Sequence, residues 1–451
     1  MERGKLGWVG ALCGVGALLC LVGTVVAALQ LNQGTVGQRI FVALALVLIA
    51  GMGVLLLYWE RVSVRQIVVL ALPLAAAMLV RCLLLDYESH DYLTFLSQWY
   101  DVIRDGGGFG AIAQPVGNYN VPYLYFIAFI SYLDVPDLYL YKLFSIFLDV
   151  ILAWGGLRLV RVLTKEKGSA FLPQIAFGLL LFVPTVVLNG SCWAQCDAIY
   201  GALVVHAVAS LLEGKNKQSL VWLAVAFSFK LQTVFIMPLW GVMWLAGRVK
   251  FRELFVFPGV YALTAVPAIL LGKPLGDILG VYVGQMGEYD RLTLNAPTVY
   301  QFLPQNGVYD QAFLSQLGII AAMIVAFAML FIGAWNGKRV DNQMAMAVAM
   351  VLVVGIPFFL PHMHERYFYL ADVLGVCWAV SNLRYIPAAL LVCGSSLASY
   401  SVYLRLKYNY ILYLSGDYLV MFWESAAMAA ALVLCIVYLV FLCMRKGETT
   451  T

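Results

Sequence analysis

Apolar runs of 15 to 25 residues recur along the chain from Leu6 to Leu442, separated by short polar stretches. A helix needs about 20 mainly apolar residues to cross about 30 Å of hydrocarbon, so the pattern predicts a polytopic, all-α membrane protein. The runs are continuous and do not alternate in period two, which sets aside an outer-membrane barrel. The first run, Leu6 to Leu29, is too long for a signal peptide and lacks a small-residue cleavage site, so it is expected to be an uncleaved crossing.

Charge orients these elements. Of 28 Lys and Arg residues, 18 fall in short clusters: Arg3 and Lys5, Arg61 and Arg65, Arg158 to Lys167, Lys215 and Lys217, Arg248 to Arg252, Lys338 and Arg339, Arg384, and Arg445 and Lys446. The positive-inside rule puts these, and both termini, in the cytoplasm. The outward loops are then Gln30 to Arg39, Asp86 to Asp137, Asn189 to Asp197, a tip at Lys230, Gly272 to Ala312, Pro361 to Arg366, and Leu404 to Asp417. About 14 crossings would join them.

Two stretches resist a simple crossing. Pro122 to Leu133, about 12 residues, spans only about 18 Å as a helix and is expected to be re-entrant or membrane-embedded, closing the large first loop behind an amphipathic helix. Gln218 to Gly247 separates two basic clusters and must rise and return around Lys230 as two helices of about 21 Å each, which favours a water-admitting cavity. No repeat or soluble domain interrupts the pattern, and residues 1–451 read as one transmembrane domain.

Composition narrows the function. The chain is 63% hydrophobic and 12% charged, against roughly 25% charged in soluble domains, which excludes a soluble enzyme. A net charge of +4 spread over short loops makes nucleic acid an unexpected partner. Nine cysteines sit mostly in apolar runs, where they behave as small hydrophobes and define no metal site or disulfide framework. Cys192 and Cys196 have helical spacing and read as two small residues in a tight turn, with a bridge as the alternative.

Ionisable groups are costly at membrane depth, so their positions are informative. The first large loop opens with Asp86, Glu88, His90 and Asp91, continues through Trp99, breaks at Gly106 to Gly108, and closes with Asn118-Tyr119-Asn120-Val121-Pro122. Later loops supply Trp193, Gln195 and Asp197, then Lys230 and Gln232, then His362, His364, Glu365 and Arg366. Each has a plainer reading: a solvated loop acid for Asp86 and Glu88, a snorkelling Lys230, a helix cap for Asp197, or a zinc-binding His-x-His pair, which lacks further partners. The glycine break has no strand before it and no phosphate-loop lysine after it, which disfavours nucleotide binding.

One carboxylate and several cations at an outward cavity suit the displacement of a phosphate-linked sugar. A base takes the acceptor's proton while phosphate leaves as a stable anion, so one acid suffices. A glycoside hydrolase needs two. Cations at Lys230, His364 and Arg366 would hold the phosphate and stabilise its growing charge. With no nucleotide-binding loop, that phosphate would arrive on a lipid.

At these motifs the sequence resembles the GT-C integral-membrane glycosyltransferases, in particular bacterial relatives of the second mannosyltransferase of GPI-anchor assembly. More distantly it is similar to glucosyltransferases that use dolichyl-phosphate-glucose. The resemblance runs from about Leu85 to Tyr385. It rests on Asp91 followed by Trp99 and Asn120-Val121-Pro122, on Lys230 with Gln232, and on His364-Glu365-Arg366. The family's Asp-Tyr-Pro-Pro element stands here as Asn-Tyr-Asn-Val-Pro, and the acid doublet of its metal-dependent members is reduced to Asp197.

The resemblance implies a GT-C-like fold and an inverting hexosyltransferase of mannose or glucose type. The donor would be a polyprenyl-phosphate sugar and the acceptor a glycan or lipid-linked hydroxyl on the outer face of a bacterial inner membrane. Asp91 is the expected base and Lys230, His364 and Arg366 the donor-phosphate contacts. Asn120, Asp197, Gln232, Glu365, Asp290 and Arg291 are expected supporting or acceptor contacts, and no metal or other cofactor is expected. A lipid-linked-sugar flippase and a diphosphate-dependent glycan polymerase or ligase are the alternatives.

Overall fold

The computed structural model describes residues 2–165, 171–285, 291–303, 309–404 and 417–448. Among them nine helices are long and apolar enough to cross a membrane, or ten if the bent pair Leu172–Leu180 and Pro184–Cys192 forms one span. The protein is thus a helical, multi-pass membrane protein. Four shorter apolar helices, Val121–Ile130, Asp197–Leu212, Leu231–Leu245 and Tyr369–Ser381, fall below that length. Strand structure among the described residues is confined to one parallel pair, β1 (Thr293–Leu294) with β2 (Met363–His364).

The chain resolves into two compact units, one comprising Met1–Arg158, Pro173–Leu203 and Thr264–Val281, the other Leu159–Leu172, Val204–Leu263 and Tyr282–Thr451. In the first, α1 (Glu2–Leu29) runs along α3 (Val64–Cys82), with α2 (Val36–Trp59) between them in sequence. Both α2 and α3 begin in capping boxes, Thr35 with Gln38 and Ser63 with Gln66, which satisfy N–H groups the first turn leaves unpaired. Leu12, Leu18 and Leu19 on α1 are exposed, as expected of a surface solvated by lipid tails.

Beyond α3 come a π-helical turn at Tyr92–Leu96, then α4 (Ser97–Asp105) and α5 (Val121–Ile130). With 10 residues, α5 is about 15 Å long, too short to cross, as its sequence implies. The glycine break has a structural cause. Gly107 and Gly108 have φ of 84° and 68°, the left-handed region that glycine enters without penalty, and a Cβ on Gly108 would collide with the Tyr132 ring.

The largely buried α6 (Asp137–Leu163) carries Lys142, Ser145 and Asp149 at spacings that share one helix face. Asp149 pairs with Arg81 at 2.9 Å, both fully buried. A second Arg81 nitrogen donates to the Leu181 carbonyl at 2.8 Å. That carbonyl lies where α7 (Leu172–Leu180) breaks before α8 (Pro184–Val187), a 44° bend. The guanidinium supplies the donor that the interrupted helix lacks.

The second unit carries most of the remaining helices. Further along the chain come α9 (Asp197–Leu212), α12 (Val256–Leu270) and α13 (Leu275–Gln285). α10 (Asn216–Phe229) ends at Lys230, whose extended backbone (φ −150°, ψ 131°) stops the helix without proline or glycine. A 3₁₀ turn, Leu231–Phe235, leads to α11 (Pro238–Leu245), which opens on proline. The expected break at Lys230 is present. α11 packs on α14 (Gln311–Asn336), α14 on the buried α15 (Asn342–Phe359), and α16 (Tyr369–Ser381) on α17 (Ile386–Leu404). α18 (Asp417–Glu448) packs on α15 and α17.

Candidate functional site

Asp91 stands at the head of the first π turn. Its Oδ2 accepts from the Trp193 indole at 3.0 Å and from the Gln195 side-chain amide at 2.5 Å. Two donors on one oxygen fix the plane of the carboxylate. They come from the segment after a second π turn, Leu188–Cys192, and π turns occur frequently at functional sites. Between the two donors, Ala194 is held at φ 64°, a conformation that costs a residue with a Cβ about 1–2 kcal/mol. Ser89 ties the two strands of chain together: its hydroxyl donates to the Trp193 carbonyl at 2.7 Å and accepts from the Tyr92 N–H at 3.1 Å.

The neighbouring acids are used differently. Asp86 accepts from the Tyr139 hydroxyl at 2.7 Å and from the Asn32 N–H at 3.0 Å, and Glu88 accepts from Gln33 at 2.7 Å. Both fasten the loop between α1 and α2. Asp91 is the acid of the three that joins the Trp193 segment.

Asp197 is fully buried and accepts from the Asn189 amide at 2.7 Å, while its own N–H donates to Asn189 Oδ1 at 3.2 Å. The Gln195 N–H donates to the Asn189 carbonyl at 2.9 Å, so Asp197 buttresses the turn that presents Gln195. Asn120 is the N-cap of α5, its side chain accepting from the Val121 N–H at 2.8 Å. Cys192 and Cys196 are both buried, and no disulfide joins them.

The second cluster is built on the β1–β2 pair. Its register sets Leu294 beside His364, and the Glu365 N–H donates to the Leu294 carbonyl at 3.1 Å. His362 is held at φ 62° and Asn295 at φ 56°; such outliers persist where the surroundings over-determine them, often at functional sites. The pairing directs the segment that follows. Arg366 lies over the Tyr367 ring with its guanidinium carbon 5.9 Å from the centroid. His364 Nδ1 is 3.9 Å from the buried Glu365 carboxylate. Burial first, and then the positive charges of Arg366 and Lys230, push the His364 pKa from 6.5 down to about 2. Arg366 and Lys230 therefore both lie near enough to His364 to act on its ring by charge, and the ring is neutral.

Gln232 and Thr233, next to Lys230, have a buried amide oxygen and a buried hydroxyl that take no hydrogen bond among the described residues. Arg291 is exposed, and its carbonyl lies 2.7 Å from His362 Nδ1. Asp290 lies outside the described residues. Among the described residues no group of three or more His, Cys, Asp or Glu side chains is placed to hold a metal ion.

Sequence reasoning missed Lys142, Ser145, Arg81 and Asp149. The signal was there as charged residues within apolar runs, which are expensive and therefore informative. No protein-family model matches the chain, and no curated protein matches it either.

Proposed function

We propose that the protein is a glycosyltransferase with a GT-C-like fold and about 14 crossings. It moves a hexose, with inversion, from a polyprenyl-phosphate carrier to an acceptor hydroxyl on the outer face of a bacterial inner membrane. The Asp91 carboxylate takes the acceptor's proton as the acceptor oxygen bonds to the anomeric carbon. The bond from that carbon to the phosphate oxygen breaks, and polyprenyl phosphate leaves as an anion that needs no protonating acid. Lys230 and Arg366 neutralise the charge that grows on that phosphate, and neutral His364 contributes a hydrogen bond.

The observation that carries the reading is the approach of two cations to a half-buried, neutral histidine, whose ring lies 3.9 Å from the Glu365 carboxylate, on a two-strand frame with left-handed His362 and Asn295. A phosphate anion relieves that arrangement. The clasp of Trp193 and Gln195 on Asp91 supports the base assignment, since a base must be aimed before it can act.

The test supplies purified full-length protein in detergent with tritiated polyprenyl-phosphate-mannose or polyprenyl-phosphate-glucose and an envelope glycolipid extract as acceptor. Label is expected in a covalent product, falling about 10²- to 10⁴-fold in Asp91→Asn. Label that crosses reconstituted vesicles on unaltered lipid, with no product, would replace the transferase with a flippase.

A further inference from the structure

The proposed base is mounted on α6 by side chains that sequence reasoning passed over. Lys142 is fully buried, and its ammonium donates to three backbone carbonyls, Leu84 at 3.1 Å, Leu85 at 2.8 Å and Tyr87 at 2.6 Å. An ammonium has three N–H donors, so those contacts use its whole capacity. The carbonyls belong to the chain just past the C-terminal end of α3, where the regular helix ladder has ended; that of Leu84 also accepts from the Tyr87 N–H at 3.3 Å. They also precede Asp91 by only a few residues. Lys142 thus sets the path of the chain into the acid.

One turn further along the same face, the Ser145 hydroxyl donates to the Gln195 carbonyl at 2.8 Å. Gln195 is the residue whose side chain holds Asp91. The backbone comes in close here: a Cβ on Gly190 would lie 2.8 Å from Ser145 Cβ. The two strands of chain that form the clasp, 84–91 and 189–195, are therefore each fastened to α6, three residues apart, and to one another through Ser89.

We infer that Lys142 and Ser145 are positioning residues that aim the Asp91 carboxylate, acting through the Leu84–Tyr87 and Gln195 backbones. This rests on the reading of Asp91 as base. A plain anchoring role would require only that the chain be held. Positioning requires that the geometry of the carboxylate and its two donors change when either contact is lost, with binding of the donor lipid untouched.

The experiment measures kcat and KM for tritiated polyprenyl-phosphate-hexose in full-length Lys142→Met and Ser145→Ala. Each is normalised to the folded fraction from size exclusion and thermal midpoint, alone and combined with Asp91→Asn. Lys142→Met is expected to lower kcat by about 10²-fold and Ser145→Ala by about 3- to 10-fold, with KM within about twofold. In the Asp91→Asn background neither should lower the residual rate further, because a misaimed carboxylate matters only while a carboxylate is present. Wild-type kcat per folded molecule in both variants would overturn the inference. So would losses that multiply with that of Asp91→Asn. If Lys142→Met does not fold, Ser145→Ala decides by the same criteria. An Asp91→Asn protein with native activity is a separate outcome, and it removes the function reading itself.

Discussion

Asp91 and His364, both half-buried, are surrounded in opposite ways. Around Asp91 the chain gathers neutral donors, an indole and an amide on one oxygen. Around His364, burial and then the positive charges of Arg366 and Lys230 hold the ring neutral, with the Glu365 carboxylate 3.9 Å away. The first arrangement satisfies a group the protein already has. In the proposed reading, an anion from elsewhere completes the second. On that reading the difference separates an aimed proton acceptor from a receptacle for phosphate.

The largest way to break the comparison is to remove the cations together. Lys230→Met with Arg366→Ala is expected to weaken binding of polyprenyl phosphate by about 10²-fold or more, at about 1.5–3 kcal/mol for each hydrogen bond to a charged group. Fluorescence quenching or equilibrium dialysis in detergent reads this, and unchanged affinity would dissolve the receptacle. Gln195→Met is predicted to act on the other side alone. Losing one amide donor to Asp91 should lower kcat by about 10-fold, with lipid affinity held.

His364 sharpens the comparison through pH. Its pKa is about 2 in the folded chain against 6.5 as the ordinary value, so as pH falls below 6.5 the unfolded chain takes up a proton that the folded chain refuses. The stability associated with the neutral ring is fully present above 6.5 and is lost progressively as pH falls towards 2. The thermal midpoint of the wild type should therefore drop between pH 7 and pH 5, and drop less in His364→Asn. Arg366→Ala, and equally bound polyprenyl phosphate, should raise the His364 pKa as followed by nitrogen NMR of labelled histidine, because each lessens the positive field. A pKa unmoved by both would detach His364 from the cations.

Smallest in its bearing on function is Gly108→Ala, in the loop between α4 and α5. A left-handed φ of 68° and contact with the Tyr132 ring predict a loss of about 1–3 kcal/mol in stability. The thermal midpoint should fall while kcat per folded molecule stays at the wild-type value.

What was legible beforehand depended on period and on cost. The long apolar runs show as the helices they predict, because burial in lipid demands continuous hydrophobicity. The breaks at Lys230 and at α5 could be found because length alone forbids a crossing. The preference for Asp91 over Asp86 and Glu88 rests on the family resemblance, and the different hydrogen-bond partners of the three acids leave no mark in the sequence. Lys142 stayed hidden because its partners are backbone carbonyls, which leave no trace in side-chain pattern. The β1–β2 pair stayed hidden because two residues have no period. The left-handed Ala194 and His362 carry none of the residue types that announce such a conformation.

The most direct test of the account is a single turnover from donor already bound. Wild-type and Asp91→Asn proteins are loaded with tritiated polyprenyl-phosphate-hexose, mixed with acceptor extract, and sampled for labelled product and for intact donor. The account predicts equal loading of both proteins, with the Asp91→Asn rate lower by about 10²- to 10⁴-fold and its donor recovered unchanged. Product forming at the wild-type rate in Asp91→Asn would contradict it.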